Sequence, residues 1–143
     1  MLPRLPTLLL AGLIVLFSGA AAADLLVVVN ARSGVDRLTA DQVINIFMGR
    51  YRQLPYGIPA RPIDQPESSP ERARFYRLLV NKDLAEINAY WARLTFSGKA
   101  SPPRQAGSLN EVEQWLATQP GAIGYLDSSQ VDARFRAVLN LGP

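Results

Sequence analysis

Five consecutive apolar residues, Leu25 to Val29 (LLVVV), run without a polar interruption up to Asn30. A strand that meets water on one face alternates apolar and polar residues, so a run with no alternation needs cover on both faces. The stretch Ala122 to Leu126 (AIGYL), opened by Pro120 and Gly121, makes the same demand near the other end of the chain. Two strands buried on both sides, with helical patterns between them, call for a layered α/β arrangement around a small, partly parallel sheet.

The helical patterns are explicit. Thr39 stands at an N-cap position, Val43, Ile44, Phe47 and Met48 recur at helical spacing, and Gly49 stops the helix. The loop from Arg50 through Tyr51, Arg52, Pro55, Tyr56, Gly57 and Pro59 is too rich in proline and glycine for regular structure. Arg61 to Asp64 is a short strand candidate. Ser68 or Ser69 then caps a helix with Pro70 in its first turn; Glu71 completes a capping box with Ser68, and Phe75, Leu78 and Leu79 form its inner face. A helix from about Leu84 to Phe96 carries Leu84, Ile87, Trp91 and Leu94 on one stripe and ends at Gly98. Ser108 with Glu111 reads as a further capping box, opening a helix that buries Val112, Trp115 and Leu116. A short helix around Val131 to Phe135 and a strand from Ala137 to Leu141 complete the expected series.

Met1 to Ala23 holds Arg4, an apolar run from Leu8 to Phe17, and then Ser18, Gly19 and four alanines, the layout of a cleaved secretory signal. The apolar run is shorter than the roughly 20 residues a membrane-spanning helix needs. Residues 1–23 are therefore expected to be a signal peptide removed near Ala23, leaving residues 24–143 as one exported domain with no stable membrane anchor. The chain has no cysteine, so packing alone stabilises it in an oxidising compartment. It has no histidine either, which removes the usual general base near neutral pH and the commonest metal ligand. The formal charge of +3 falls to +2 once Arg4 is removed, and acids and bases are interspersed, with no basic block of the kind that binds nucleic acid. No enzyme, metal or cofactor is expected.

The stretch Ile63 to Phe75 (IDQPESSPERARF) places two hydroxyls at a strand-to-helix junction. A helix start leaves about four backbone N–H groups unpaired and carries a partial positive charge, which together favour an anion. Ser68 and Ser69 could each donate a hydroxyl to such a ligand, or serve only as caps. Asp64, Glu67 and Glu71 repel an anion unless Arg72 or Arg74 offsets them, and Asp64 equally suits a ligand that carries donors. Asp64 and Glu67 as paired carboxylates of a hydrolase lack an accompanying nucleophile or metal set. Ser33 and Gly34 follow the first strand, where open α/β sheets place ligands, although both residues populate ordinary turns.

The ordered set VVVN at Val27 to Asn30, LTADQVINIFMG at Leu38 to Gly49, the Asp64 to Phe75 stretch and PGAIGY at Pro120 to Tyr125 resembles the substrate-binding component of bacterial phosphate ABC transporters. The likeness is greatest to short, single-domain members, which share a pair like Tyr90 and Trp91 and a Phe96-x-Gly98 turn. It implies an α/β fold, a single lobe of a type 2 periplasmic-binding-protein-like fold with a small mixed sheet flanked by helices. It further implies a periplasmic solute-binding protein that takes phosphate, another small oxyanion or a polar solute, and works with an inner-membrane permease or a signalling protein. Where the family has an arginine followed by serine-glycine-threonine, this chain has Asp64, Ser68, Ser69 and Pro70. The ligand set implied is Ser68, Ser69, Arg72, Asp64 and Ser33. An alternative is a ligand-free interaction or sensory module that retains the fold and uses the Arg50 to Tyr56 loop as its edge.

Overall fold

The computed structural model describes Leu2, Pro3, Ile14 and residues 23–143. The leader expected over residues 1–23 lies almost wholly outside the described residues.

Among the described residues, nine elements follow in chain order: β1 (Leu25–Asn30), α1 (Ala40–Phe47), β2 (Arg61–Asp64), α2 (Pro70–Val80), α3 (Leu84–Phe96), β3 (Arg104–Gln105), α4 (Leu109–Thr118), β4 (Ala122–Asp127) and β5 (Phe135–Asn140). The strands form one mixed sheet in the order β3-β2-β4-β1-β5. β2 runs parallel to β3 and β4, and β1 runs antiparallel to β4 and β5.

Both faces of this sheet are covered, as the apolar runs require. Leu25, Val27, Val29, Ile123 and Tyr125 pack on one side with Phe47 of α1, Phe75 of α2 and Ile87 of α3. Val28, Ala122 and Leu126 pack on the other with Val112 and Leu116 of α4. Gly124 lets Leu116 approach the sheet: a Cβ there would meet Ile63 at 3.1 Å and Leu116 at 3.4 Å. The expected α/β sandwich with a partly parallel sheet is thus the observed one.

Four local expectations are corrected. Residues 131–135 are not helical: a 3-10 turn occupies Ser128–Gln130, Asp132 takes hydrogen bonds from the backbone and side chain of Arg134, and Phe135 already belongs to β5. The apolar pair Val131 and Phe135 has helical spacing, but the local Asp132–Arg134 bonds give the backbone a turn instead. The inner stripe of α2 is Arg72, Phe75, Tyr76 and Leu79, at spacings of three and four residues, while Leu78 points outward with 39% exposure. Of the two serines offered as caps, Ser69 is the N-cap of α2, but its hydroxyl makes no capping bond, and the capping box expected of Ser68 and Glu71 does not form. At α4, Ser108 Oγ does accept from Glu111 N–H, but the Glu111 carboxylate turns to Gly107 N–H and Arg104 in place of closing the box.

Two features of α3 set the site. Asp83 and Glu86 make a reciprocal capping box that fixes its start. Trp91 then packs its ring edge against Gly49, where a Cβ would lie 2.8 Å from the indole; Gly49 has φ +79°, so only glycine suits both the turn and the contact.

Candidate ligand site

Asp64 ends β2 and is buried. A buried carboxylate needs partners, and the neighbouring elements supply them. Gln65 N–H donates to Oδ1 at 3.0 Å, Arg72 Nε donates to Oδ2 at 3.0 Å, and Tyr76 Oη–H donates to Oδ2 at 2.8 Å. The Tyr125 hydroxyl donates to Oδ1 from β4. Tyr125 is itself held by a stacked Phe75, with centroids 3.8 Å apart and planes 6° from parallel.

The electrostatics match this geometry. Burial pushes both the Tyr76 and Tyr125 phenols well above the ordinary tyrosine value, and the adjacent Asp64 charge pushes the same way, so both stay protonated donors. Burial disfavours the Arg72 cation, but the Asp64 charge and hydrogen bond outweigh it, and its pKa is raised. Arg72 and Asp64 form an ion pair with side-chain exposures of 7% and 5%.

This network fixes the segment that leads into α2. Gln65 Nε2 donates to the Tyr125 carbonyl at 2.8 Å, and Ser69 Oγ lies within hydrogen-bond distance of Gln65 Oε1 at 2.8 Å and Glu71 Oε2 at 2.9 Å. Ala106 N–H, just past β3, donates to the Asp64 carbonyl at 3.0 Å, which adds the chain after β3 to the same support.

The five expected ligand residues are thereby separated. Asp64 and Arg72 face each other; Ser69 is committed to Gln65 and Glu71; Ser68 is exposed beside Glu67 over a depression reaching Gln105 and Gly107. Ser33 is not brought to them. β1 is antiparallel to β4 and β4 is parallel to β2, so the carboxyl end of β1 lies at the opposite end of the sheet from that of β2. There Ser33 Oγ accepts from Val35 N–H at 3.2 Å, an ordinary turn bond.

An open cleft of about 550 Å³ adjoins the Asp64–Arg72 pair. Trp91, Thr95 and Phe96 of α3 line one wall; Pro102, Pro103 and Gln105 line the other. Two N–H groups in side chains of this lining, Arg72 Nη1–H and Trp91 Nε1–H, are buried and have no acceptor. Buried donors are almost always paired, and an orphan costs roughly 1–3 kcal/mol; both atoms lie beneath the cleft surface, out of contact with solvent. Sequence reasoning singles out Arg72 for its charge and Trp91 only as part of an apolar stripe. The signal that joins them is the spacing of Arg72 on the buried stripe of α2, which forces the guanidinium inward. Among the described residues, no group of three or more carboxylate, histidine or cysteine side chains is placed to hold a metal ion.

No family model and no curated protein matches the chain. Solved structures do. A protein described as a phosphate ABC transporter substrate-binding protein with bound phosphate, from Clostridium perfringens, superposes with a TM-score of 0.64 at 18% identity, covering 82% of this chain and 45% of that one. An ABC-type phosphate transport receptor from Vibrio cholerae gives 0.64 at 19% identity, with 82% and 46% covered. A protein described as a possible phosphate binding protein, from Planctomyces limnophilus, gives 0.55 at 17% identity, with 82% and 41% covered. At such identities the likeness concerns the fold, and the chain spans less than half the length of each of these proteins. The chain has a phosphate-binding-protein-like fold, one lobe of the periplasmic-binding-protein architecture.

Proposed function

We propose that this chain is an exported, non-enzymatic solute-binding module that holds a small oxyanion or polar solute beside the strand-to-helix segment between β2 and α2. The observation that carries this reading is the open cleft of about 550 Å³ beside the buried Asp64–Arg72 pair, lined by Trp91, Phe96, Pro102 and Pro103 with Asn88, Thr95 and Gln105 as its exposed polar groups. The fold shared with phosphate-binding proteins supports the same class of function. The leader-like residues 1–23 support export to a periplasm, and no helix among the described residues is long and apolar enough to cross a membrane. An inner-membrane permease or a signalling protein would receive the loaded module.

The cleft, not the helix start, is the better seat for the solute. At the helix start the Ser69 hydroxyl is taken up by Gln65 and Glu71, and Pro70 has no N–H to offer. A single lobe leaves its ligand wet, which limits the strength of each hydrogen bond; affinity in the millimolar to high micromolar range, about −4 to −6 kcal/mol, is expected. Thermal unfolding of residues 24–143 with phosphate, sulfate, acetate and benzoate tests the reading. A ligand at about 100 times its dissociation constant adds about 2.7 kcal/mol and raises the midpoint by several degrees. If none of these anions moves the midpoint at concentrations up to about 50 mM, the solute-binding reading fails.

A further inference from the structure

The loop from Arg50 to Ala60, between α1 and β2, takes no part in the cleft, yet it is firmly pinned. Arg50 and Tyr51 N–H both donate to the Asn45 carbonyl, at 2.8 and 3.0 Å, Ala60 N–H donates to the Arg52 carbonyl at 2.9 Å, and Leu54 N–H to the Ile58 carbonyl at 2.8 Å. Leu54 is buried, and Ile58 and Ala60 pack against the core. At the tip of this hairpin, in the 3-10 turn Pro55–Gly57, Tyr56 has φ +69° and is 85% exposed. A bulky residue in the left-handed region is an outlier, and with the ring in solvent no side-chain packing offsets the strain. Asn81, the other non-glycine residue with positive φ among the described residues, is of a type that suits the conformation, and it caps α2. Strain that the fold does not need points to use of the side chain. We infer that this loop and the groove beside it form a docking face for an acidic segment of a partner protein, one that also carries apolar side chains.

Charge selects the acidic character. Residues 42–63 include Arg50, Arg52 and Arg61 with no aspartate or glutamate, and residues 87–110 include Arg93, Lys99 and Arg104 with none. These two stretches supply the whole lining of a groove of about 400 Å³, so no carboxylate faces into it. Arg104 is neutralised by Glu111 at 3.1 Å, but Arg50, Arg52, Arg61 and Lys99 are exposed and have no carboxylate partner among the described residues. Arg50 and Arg61 bond only the neutral side chains of Asn45 and Gln119, at 3.3 and 3.4 Å, so their charges stay open to a partner.

Shape and apolar surface select a polypeptide. Ile46, Tyr51 and Pro62 line the groove together with Ala100, Pro102 and Pro103, and Tyr51 is half exposed. Exposed ion pairs are worth little singly, so the arginines steer and select the partner while apolar contact holds it. Tyr51 and Tyr56 supply that contact, and tyrosine beside arginine is the composition of interface anchors. A concave groove admits an extended chain, whereas a flat lipid surface would meet only the Tyr56 tip. The groove shares Pro102 and Pro103 with the solute cleft, so a partner seated in it lies beside that cleft. The face stands apart from the solute-binding reading, since none of its cations lines the cleft.

Biolayer interferometry of residues 24–143 on an immobilised copolymer of glutamate and tyrosine tests the face, with a lysine–tyrosine copolymer and vesicles of phosphatidylcholine and phosphatidylglycerol as comparisons. Binding to the acidic copolymer is expected, weakening as NaCl rises from about 50 to about 300 mM. Arg50→Ala with Arg52→Ala should weaken it at least roughly tenfold; Arg77→Ala with Arg93→Ala, an equal loss of exposed charge on α2 and α3, should stay within about twofold. Tyr56→Asn relieves the backbone and should weaken binding at least roughly fivefold, with an unfolding midpoint equal to or above that of the parent. No binding to the acidic copolymer, equal binding to the lysine copolymer, equal losses in the two double variants, or undiminished binding by Tyr56→Asn would overturn the docking face. A lower midpoint in Tyr56→Asn would assign the tyrosine to the fold and overturn it too. Vesicles bound more tightly than the acidic copolymer would assign the face to a membrane in place of a protein partner. Anion-induced shifts of the unfolding midpoint, which test the cleft, are untouched by any of these results.

Discussion

Replacing Asp64 with asparagine removes one charge and almost no volume, and the structure gives the size of the effect. The carboxylate faces Arg72 at 3.0 Å with both side chains more than nine-tenths buried, and the guanidinium is held charged by that neighbour against the pull of burial. The amide that replaces the carboxylate keeps one oxygen to accept hydrogen bonds, but its NH₂ end would confront donors that now point at Asp64, and the Arg72 cation would lose its counter-charge. Breaking a buried pair from one side costs about 3–5 kcal/mol, a large part of the roughly 5–15 kcal/mol that holds an ordinary domain folded. Equilibrium urea unfolding of residues 24–143, followed by far-ultraviolet circular dichroism, reads this directly. The companion variants are Arg72→Met and the double substitution. Since Arg72→Met leaves Asp64 charged and buried, it too should cost about 3 kcal/mol, while the double variant should cost clearly less than the two added together. Asp64→Asn costing under about 1 kcal/mol, or a strictly additive double variant, would refute the claim that this pair organises the segment.

Three further outcomes are expected. Tyr76 and Tyr125 have phenols raised well above the ordinary value by burial and by Asp64, so above about pH 10 the unfolded chain releases protons that the folded chain keeps. Their contribution is intact below that pH and is lost above it at up to about 1.4 kcal/mol per pH unit for each tyrosine; unfolding midpoints should fall on going from about pH 9 to about pH 11, and a flat profile would contradict the burial. Gly121→Ala would place a methyl 1.8 Å from the Pro59 carbonyl oxygen, backbone against backbone, and should destabilise by about 3 kcal/mol in urea unfolding, whereas Gly107→Ala, with only a carboxylate 3.5 Å away, should cost under about 1 kcal/mol. Thr39→Ala removes a complete capping box and should cost about 1 kcal/mol by the same measurement, while Ser68→Ala, at an exposed position outside the N-cap, should stay within about 0.5 kcal/mol; equal losses would reinstate Ser68 as a cap.

The parts of this fold that are legible in the sequence are those whose cause is local. Leu25 to Val29 announces a strand with two covered faces, and Thr39 announces a helix start, because burial and capping act over a few residues. β3 escapes notice because two residues carry no period, and its pairing with Ile63 and Asp64 comes from some forty residues upstream. The role of Asp64 is legible only in part. Its opposition to Arg72 is among the options the sequence leaves open, but Tyr76 and Tyr125, which complete the cage, lie 12 and 61 residues away. Ser33 is placed at a ligand site by a rule for parallel sheets, in which the carboxyl ends of strands share one side. The antiparallel pairing of β1 with β4 voids that rule here. The cleft is invisible at the level of sequence, since Trp91 and Arg72 stand on different helices and the apolar stripe on α3 accounts for a tryptophan without reference to its N–H.

If the cleft seats a solute beside Trp91, the indole N–H resonances of a ¹⁵N-labelled sample must report it. The chain has two tryptophans, and Trp115 Nε1–H already donates to the Arg61 carbonyl at 3.2 Å, away from the cleft. Titration with phosphate, sulfate, acetate and benzoate in turn should, for at least one of them, move the Trp91 indole signal along a saturating curve and leave the Trp115 signal in place. A Trp91 signal that stays fixed, or moves no more than that of Trp115, would contradict the seat.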